Sequence, residues 1–188
     1  MNDQPAPVGA KTSPLHQDVT RLDLGCGTRK QQGFFGVDAM GFAGVDLVHD
    51  LRQPWPFADG SIEEIKCSHF LEHLTGYERI GFFNELYRVM KRGARATIIT
   101  PHWSHERAYG DPTHAWPPVC RWTYSYLDKA WRDANAPHVA YSCDFEYVLA
   151  GKLDQDDWVL SKDDETKKVM MIRNINICAE LIATLTKK

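Results

Sequence analysis

Residues 21–27 read Arg-Leu-Asp-Leu-Gly-Cys-Gly (RLDLGCG), an apolar strand running directly into a turn with two glycines. Glycine at such a turn permits positive φ and lets a ligand approach the backbone with no Cβ in the way. Working outward, acidic residues recur at the ends of the next two strands: Asp38 closes FFGVD, and Asp50 follows VDLVH. In an open parallel sheet the carboxyl ends of neighbouring strands line one crevice, where nucleotide-like ligands bind. Asp38 is placed to accept from both ribose hydroxyls, and Asp50 from an exocyclic adenine amine. The spacing also separates cofactors. A dinucleotide fold wants GxGxxG with its acid about 20 residues further on, whereas here Lys30 occupies the third glycine's place and Asp38 follows Gly25 by only 13 residues. That speaks against NAD or FAD, and it leaves residues 28–33 as a loop or a single turn.

The rest of the chain alternates short apolar runs with turn-rich or helical stretches, the pattern of a mostly parallel sheet with crossovers. Strands are expected at Val19 to Leu24, Phe34 to Asp38, Val45 to Leu51 and Ile62 to Cys67. A helix follows, opened by a capping box of Thr75 and Glu78 and closed by Lys91, Arg92 and the stop residue Gly93. Its apolar residues form two stripes, Ile80, Phe83, Tyr87 and Met90 beside Phe82, Leu86 and Val89. Ala94 to Thr100 supplies a fifth strand. Residues 101–140 crowd Pro, His, Trp, Tyr and Asp with no steady period, as a substrate-binding or lid insertion does. Phe145 to Leu149 and Ile175 to Leu185 then read as an antiparallel edge pair, separated by Asp154, Asp156 and Asp157 in an exposed turn. Residues 1–18, with three prolines and no apolar period, read as a flexible lead-in to a single domain over 19–188.

At 188 residues the chain suits one domain with a sizeable core. Its 22 Lys and Arg against 25 Asp and Glu lack the basic footprint of a dedicated nucleic-acid binder. No run approaches the apolar length of a membrane span, and the start lacks a basic-then-apolar leader, so a cytoplasmic protein is expected. Five scattered cysteines with no CxxC pair suit free thiols. Of eight histidines, five fall between His69 and His114.

These motifs resemble the class I S-adenosylmethionine-dependent methyltransferases. LDLGCG (residues 22–27) is similar to their first motif and GVDA (residues 36–39) to their second, while HDLRQPWPFADGSIEEI (residues 49–65) matches the stretch joining the third and fourth strands. CSHFLEHL (residues 67–74), ELYRVMKRGARATIITP (residues 85–101) and DPTH (residues 111–114) are similar to a small bacterial or phage branch with an abbreviated first crossover. The resemblance implies a Rossmann-like three-layer α/β sandwich on a seven-stranded sheet, and S-adenosylmethionine as cofactor. It puts Asp23 with the backbone of Gly25, Cys26 and Gly27 against the methionine moiety, Asp38 at the ribose, and Asp50 with Leu51 at the adenine. Ser68 and His69 border the sulfonium. Two departures stand out: Arg92 replaces the proline common before the helix-ending glycine, and the N-terminal helices of larger relatives are missing.

His69-Phe70-Leu71-Glu72-His73 also spells HxxEH, the order used by inverted zinc peptidases. A zinc hydrolase on His69, Glu72 and His73, with a third ligand from His102, His105 or His114, is therefore an alternative. A non-catalytic cofactor-binding module is another. The methyltransferase resemblance accounts for Glu72-His73-Leu74, so no metal is assigned. For methyl transfer, His114 is the first candidate base because an imidazole titrates near neutrality, and Asp111 is placed to orient its ring. An Asp-Pro turn whose carboxylate caps Thr113 or His114 accounts for the same local geometry. His102, Trp103, His105, Trp116, Trp122 and Tyr124 are expected to wall the acceptor pocket. The fourth strand ends in Cys67-Ser68-His69-Phe70 rather than the Asn/Asp-Pro-Pro-Tyr of amino-directed DNA methyltransferases. By elimination the acceptor is a hydroxyl or amine of a small metabolite, sugar or glycan precursor.

Overall fold

The computed structural model describes residue 16 and residues 18–188, so the N-terminal lead-in lies almost wholly outside the described residues. One seven-stranded sheet organises the chain: β1 (Arg21–Leu24), β2 (Phe35–Asp38), β3 (Leu47–Val48), β4 (Ile62–Ser68), β5 (Met90–Pro101), β6 (Phe145–Leu153) and β7 (Cys178–Lys187). Their order across the sheet is β3-β2-β1-β4-β5-β7-β6. The first five strands run parallel, and β7 enters antiparallel between β5 and β6. The expected α/β sheet and antiparallel edge pair are both present.

One face of the sheet carries Leu22, Leu24, Val37, Ile65, Cys67, Ala96, Ile98, Ala183 and Leu185, all buried. Against them pack Phe82, Phe83, Leu86 and Val89 of α1 (Gly76–Val89) in a single core. At about 1.5–3 kcal/mol per fully buried side chain, this interface contributes substantially to stability. The capping box forms as expected: Thr75 Oγ1 accepts from Glu78 N–H at 3.3 Å, and Glu78 Oε2 accepts from Thr75 N–H at 2.8 Å. Of the two stripes, Phe82, Leu86 and Val89 are all buried, whereas Ile80 and Tyr87 are only half-buried. The second face is thinly covered where the first crossover is short. There Phe34 is buried beneath the guanidinium of Arg21 and the ammonium of Lys66, and no helix forms between β1 and β2.

Three expectations are corrected. The first helix ends at Val89, not at Gly93: Met90 is extended and already pairs with Ile62, so Lys91 and Arg92 stand beyond the helix and Gly93 turns the strand at φ +78°. The acidic stretch after residue 153 is not a plain turn but the start of two helices, α5 (Asp157–Leu160) and α6 (Asp164–Arg173). Asp156 and Asp163 are their N-caps, accepting from Val159 N–H and Thr166 N–H, a use of aspartate that composition does not distinguish from a loop. The last strand accordingly begins at Cys178 rather than Ile175. Residues 101–140 contain α2 (Arg107–Gly110), α3 (Arg121–Ser125) and α4 (Lys129–Asn135), and Val119, Tyr124 and Leu127 belong to the main core. All five cysteines are free. No helix among the described residues is long and apolar enough to cross a membrane.

Candidate active site

The carboxyl ends of β1, β2 and β4 meet at the glycine turn. Gly25 and Gly27 take φ +65° and +52°, the left-handed region that costs other residues about 1–2 kcal/mol. Their reasons differ. A Cβ on Gly25 would lie 2.6 Å from the Phe70 ring, so this glycine makes room for the protein's own side chain, whereas nothing lies within 4 Å of a Cβ on Gly27. The space over Gly27 is open. Asp38 faces it: its Oδ2 accepts from Gly27 N–H at 2.8 Å and its Oδ1 from Met40 N–H at 2.9 Å. Asp23 is buried, accepts from Gln31 N–H at 2.7 Å, and has its carboxyl pushed up by burial. It therefore shapes the turn from beneath. Asp50 is held below the usual carboxylate range by Arg52, which grips both its oxygens. Leu51 buries its side chain in the core, leaving only backbone to face a ligand. Cys26 is buried too, its thiol pushed up to about 11 by burial.

The end of β4 is the least ordinary backbone in the site. Ser68 is exposed, and His69 adopts φ +55° although it is not glycine. Strained residues of this kind cluster where function over-determines them. The His69 N–H is held by Ile99 O at 2.8 Å. Its Nδ1 lies 3.2 Å from Glu72 Oε1, and its Nε2 lies 3.6 Å from Glu180 Oε1 on β7. The Glu72 hydrogen bond raises the imidazole above its ordinary range, against the opposing pull of burial. Because His69 is left-handed and Leu71–His73 form a separate 3-10 turn, HxxEH is not a continuous helix, and His69 and His73 do not share a helical face.

Beyond His69 opens a cleft of about 750 Å³ bordered by His69, Glu72, His73, Arg107, Asp111 and His114. Its two walls are stitched together from distant parts of the sequence. Ala115 N–H donates to Glu72 O at 2.8 Å. The buried Arg79 of α1 donates to Leu71 O at 3.2 Å and to Pro117 O at 2.7 Å, and its burial lowers the guanidinium's pKa from its ordinary value. Sequence reasoning missed Arg79, Glu180 and Arg107. Arg79 interrupts the apolar stripe of α1, and a charge in that place is the one signal that pointed to it.

The expected acceptor residues divide. Asp111 does not hold the His114 ring: its Oδ1 accepts from Thr113 N–H and Oγ1–H, and its Oδ2 is 3.9 Å from His114 Nε2. Ala108 O takes His114 Nδ1 at 3.3 Å instead. His105 is buried with both nitrogens engaged, Nδ1 accepting from Arg107 N–H and Nε2 donating to Asp154 Oδ2 at 2.6 Å, which makes it a loop anchor. His102 faces Ser104 at 2.8 Å, and burial lowers its pKa. Tyr124 is fully buried beside Phe83 in the core, so it does not wall the cleft. Trp103, Trp116 and Trp122 are exposed away from the cleft's lining, the last against Trp131. These aromatic positions were inferred from crowding alone, and crowding does not say which side of a loop packs inward.

Solved structures share this architecture. The chain is similar to a SAM-dependent methyltransferase from Archaeoglobus fulgidus, with TM-score 0.65 and 21% identity over 93% of this chain and 89% of that one. It is similar to another from Methanosarcina mazei, with TM-score 0.55 and 16% identity over 93% and 94%. Geranyl diphosphate C-methyltransferase from Streptomyces coelicolor, solved with S-adenosyl-L-homocysteine, gives TM-score 0.54 and 15% identity over 92% and 72%. No protein-family model matches the sequence, and no curated protein matches it. Strand order, glycine turn and neighbours agree: the chain has the fold of the S-adenosylmethionine-dependent methyltransferases.

Proposed function

We propose that the chain transfers a methyl group from S-adenosylmethionine to a hydroxyl or amine of a small metabolite, sugar or glycan precursor, by in-line displacement. The observation that carries this reading is a single juxtaposition. The glycine turn with open space over Gly27, the Asp38 carboxylate and the left-handed His69 stand together at the carboxyl ends of adjacent strands. The chain's residues fit the cofactor: Asp38 for the ribose hydroxyls, the Gly25–Gly27 backbone for the methionine moiety, and Asp50 for the adenine amine. S-adenosylmethionine, when bound, supplies a methyl already activated on a sulfonium, so the protein's task is to align an acceptor and take its proton. His69 takes the base role in preference to His114, because its Nδ1 is hydrogen-bonded to the Glu72 carboxylate. That carboxylate orients the ring and stabilises the imidazolium once formed, and Nε2, 3.6 Å from Glu180 Oε1 on β7, is the nitrogen that takes the acceptor's proton. Ser68 and the cleft beyond His69 border the reacting methyl.

Calorimetry with S-adenosylhomocysteine, on the parent and on Asp38→Ala, tests the cofactor half. Micromolar binding by the parent and a loss of about 100-fold in the variant are expected, since each hydrogen bond to a charged acceptor contributes roughly 1.5–3 kcal/mol. No heat from the parent, or equal binding by both, sinks the proposal. A labelled-methyl assay against fractionated metabolites then identifies the acceptor.

A further inference from the structure

We propose that Glu72, His73 and His114 form a binding site for a divalent first-row transition-metal ion on the acceptor wall of the cleft. A carboxylate oxygen of Glu72 and one ring nitrogen from each histidine lie within 4.8 Å of one another. Metal–ligand bonds of about 2.0–2.2 Å need such atoms about 3.5 Å apart, a contraction that small side-chain rotations supply.

The hydrogen bonds around the two rings select the ligating atom. His114 Nδ1 faces Ala108 O at 3.3 Å. A carbonyl only accepts, so the proton sits on Nδ1 and Nε2 carries a bare lone pair. His73 Nδ1 faces Thr113 Oγ1 at 3.0 Å and Thr113 O at 3.4 Å. Thr113 Oγ1 gives its own proton to Asp111 Oδ1 at 2.6 Å, so it too accepts from His73, again leaving Nε2 bare. Metal-binding histidines show this arrangement, with one nitrogen donating to a carbonyl or a hydrogen-bonded oxygen while the other ligates. The two rings meet edge to face at 4.9 Å between centroids on one wall of the cleft.

Glu72 supplies the charge. Its side chain is buried, Oε1 serves His69, and Oε2 has no hydrogen-bond partner. An unpartnered buried carboxylate oxygen is costly, and a cation held by the carboxylate offsets part of that cost, as the nearby Arg79 guanidinium also does. The cleft lining also sets Glu72, Glu106 and Asp111 against Arg107, an excess of negative charge. Two imidazoles and one carboxylate suit zinc, iron(II) or cobalt(II) better than magnesium or calcium, which prefer all-oxygen shells. Three protein ligands leave open positions facing the cleft, suited to an oxygen donor on the acceptor. That last role rests on the methyl-transfer reading; the binding of the ion does not.

The test uses the full chain, stripped with a chelator and free of S-adenosylmethionine, so that failure of the methyltransferase reading leaves its outcome unaffected. Cobalt(II) is titrated by its visible d–d bands, and zinc by competition with a chromogenic chelator. One ion per chain is expected. His73→Asn and His114→Asn should each weaken binding at least about 10-fold, with Asp111→Asn, which loosens the Thr113–His73 chain, nearer the low end of the 10-fold to 100-fold range. His138→Asn, outside the cleft, should leave binding unchanged. Circular dichroism melts of the metal-free variants, matched to the parent, separate lost ligation from lost folding. Uptake well below one ion per chain, or uptake indifferent to both His73 and His114, overturns the proposal. So does uptake removed by His69→Asn but not by His114→Asn.

Discussion

At the ends of β1 and β2, the site is made of backbone: two positive-φ glycines and a carboxylate that accepts from Gly27 N–H. At the ends of β4 and β5, it is made of side chains gathered from afar. His69 reaches Glu180, His73 reaches Thr113, and Arg79 reaches Pro117. The first region spans 14 residues of sequence, Gly25 to Asp38. The second is closed by contacts 38 to 111 residues apart. On the proposed function, a locally encoded turn suits a cofactor whose shape does not vary, while a wall built from long-range contacts leaves each of its residues free to change for a particular acceptor.

The contrast breaks most visibly at His69. His69→Asn is expected to lower turnover by about 10²–10⁴, the usual contribution of a positioned base, while leaving cofactor affinity within about twofold. Asp38→Ala should do the reverse, weakening the cofactor first. Calorimetry and single-turnover transfer on the same preparations separate the two, and parallel losses in both measurements for His69→Asn would remove it from the acceptor half.

Within the cofactor half, the two glycines are expected to differ. Gly25→Ala combines a left-handed φ with a Cβ 2.6 Å from Phe70 and should cost on the order of 2–4 kcal/mol of stability. Gly27→Ala carries only the backbone strain, about 1–2 kcal/mol, but its methyl enters the open space and should weaken cofactor binding. Urea unfolding and calorimetry measure both effects, and equal destabilisation by the two would contradict the packing difference.

The same contrast explains what the sequence disclosed. Gly25, Gly27 and Asp38 declare themselves because strand, turn and acid are neighbours in the chain, and the Thr75–Glu78 cap is legible for the same reason. Asp156 looked like a turn residue because a helix N-cap and a turn use the same side-chain chemistry. Tyr124 was misplaced and Arg79 missed for a deeper reason: whether an aromatic lines a cleft or fills a core, and which distant wall a buried guanidinium holds, depend on partners such as Phe83 and Pro117 more than thirty residues away.

Arg79 sharpens the acceptor side. Arg79→Leu leaves Leu71 O and Pro117 O without their donor and should destabilise by about 2 kcal/mol. By loosening the Leu71–His73 turn against residues 113–117, it should raise KM for the acceptor more than it changes cofactor affinity. Denaturant unfolding and initial rates at saturating cofactor test this, and an unchanged KM would show that Arg79 supports the core alone.

The smallest effect lies at the outer rim of that wall, where His105 ties the loop after β5 to Asp154. His105 Nε2–H donates to Asp154 Oδ2 at 2.6 Å, and this bond, ahead of any other cause, lowers the carboxyl pKa. A depressed folded pKa contributes stability above the unfolded value and loses it as pH falls through the folded one. Asp154→Asn keeps an acceptor oxygen but removes its charge. The parent should therefore exceed the variant by about 1 kcal/mol near neutrality, and the gap should close as pH falls below about 4, where the protonated acid comes to resemble the amide. Urea titrations of both proteins between pH 3 and pH 7, the range about the ordinary carboxylate pKa, measure the gap. A gap that stays constant to the acid end would mean that the bond owes nothing to the carboxylate's charge, and that the acceptor wall is held at this point by packing instead.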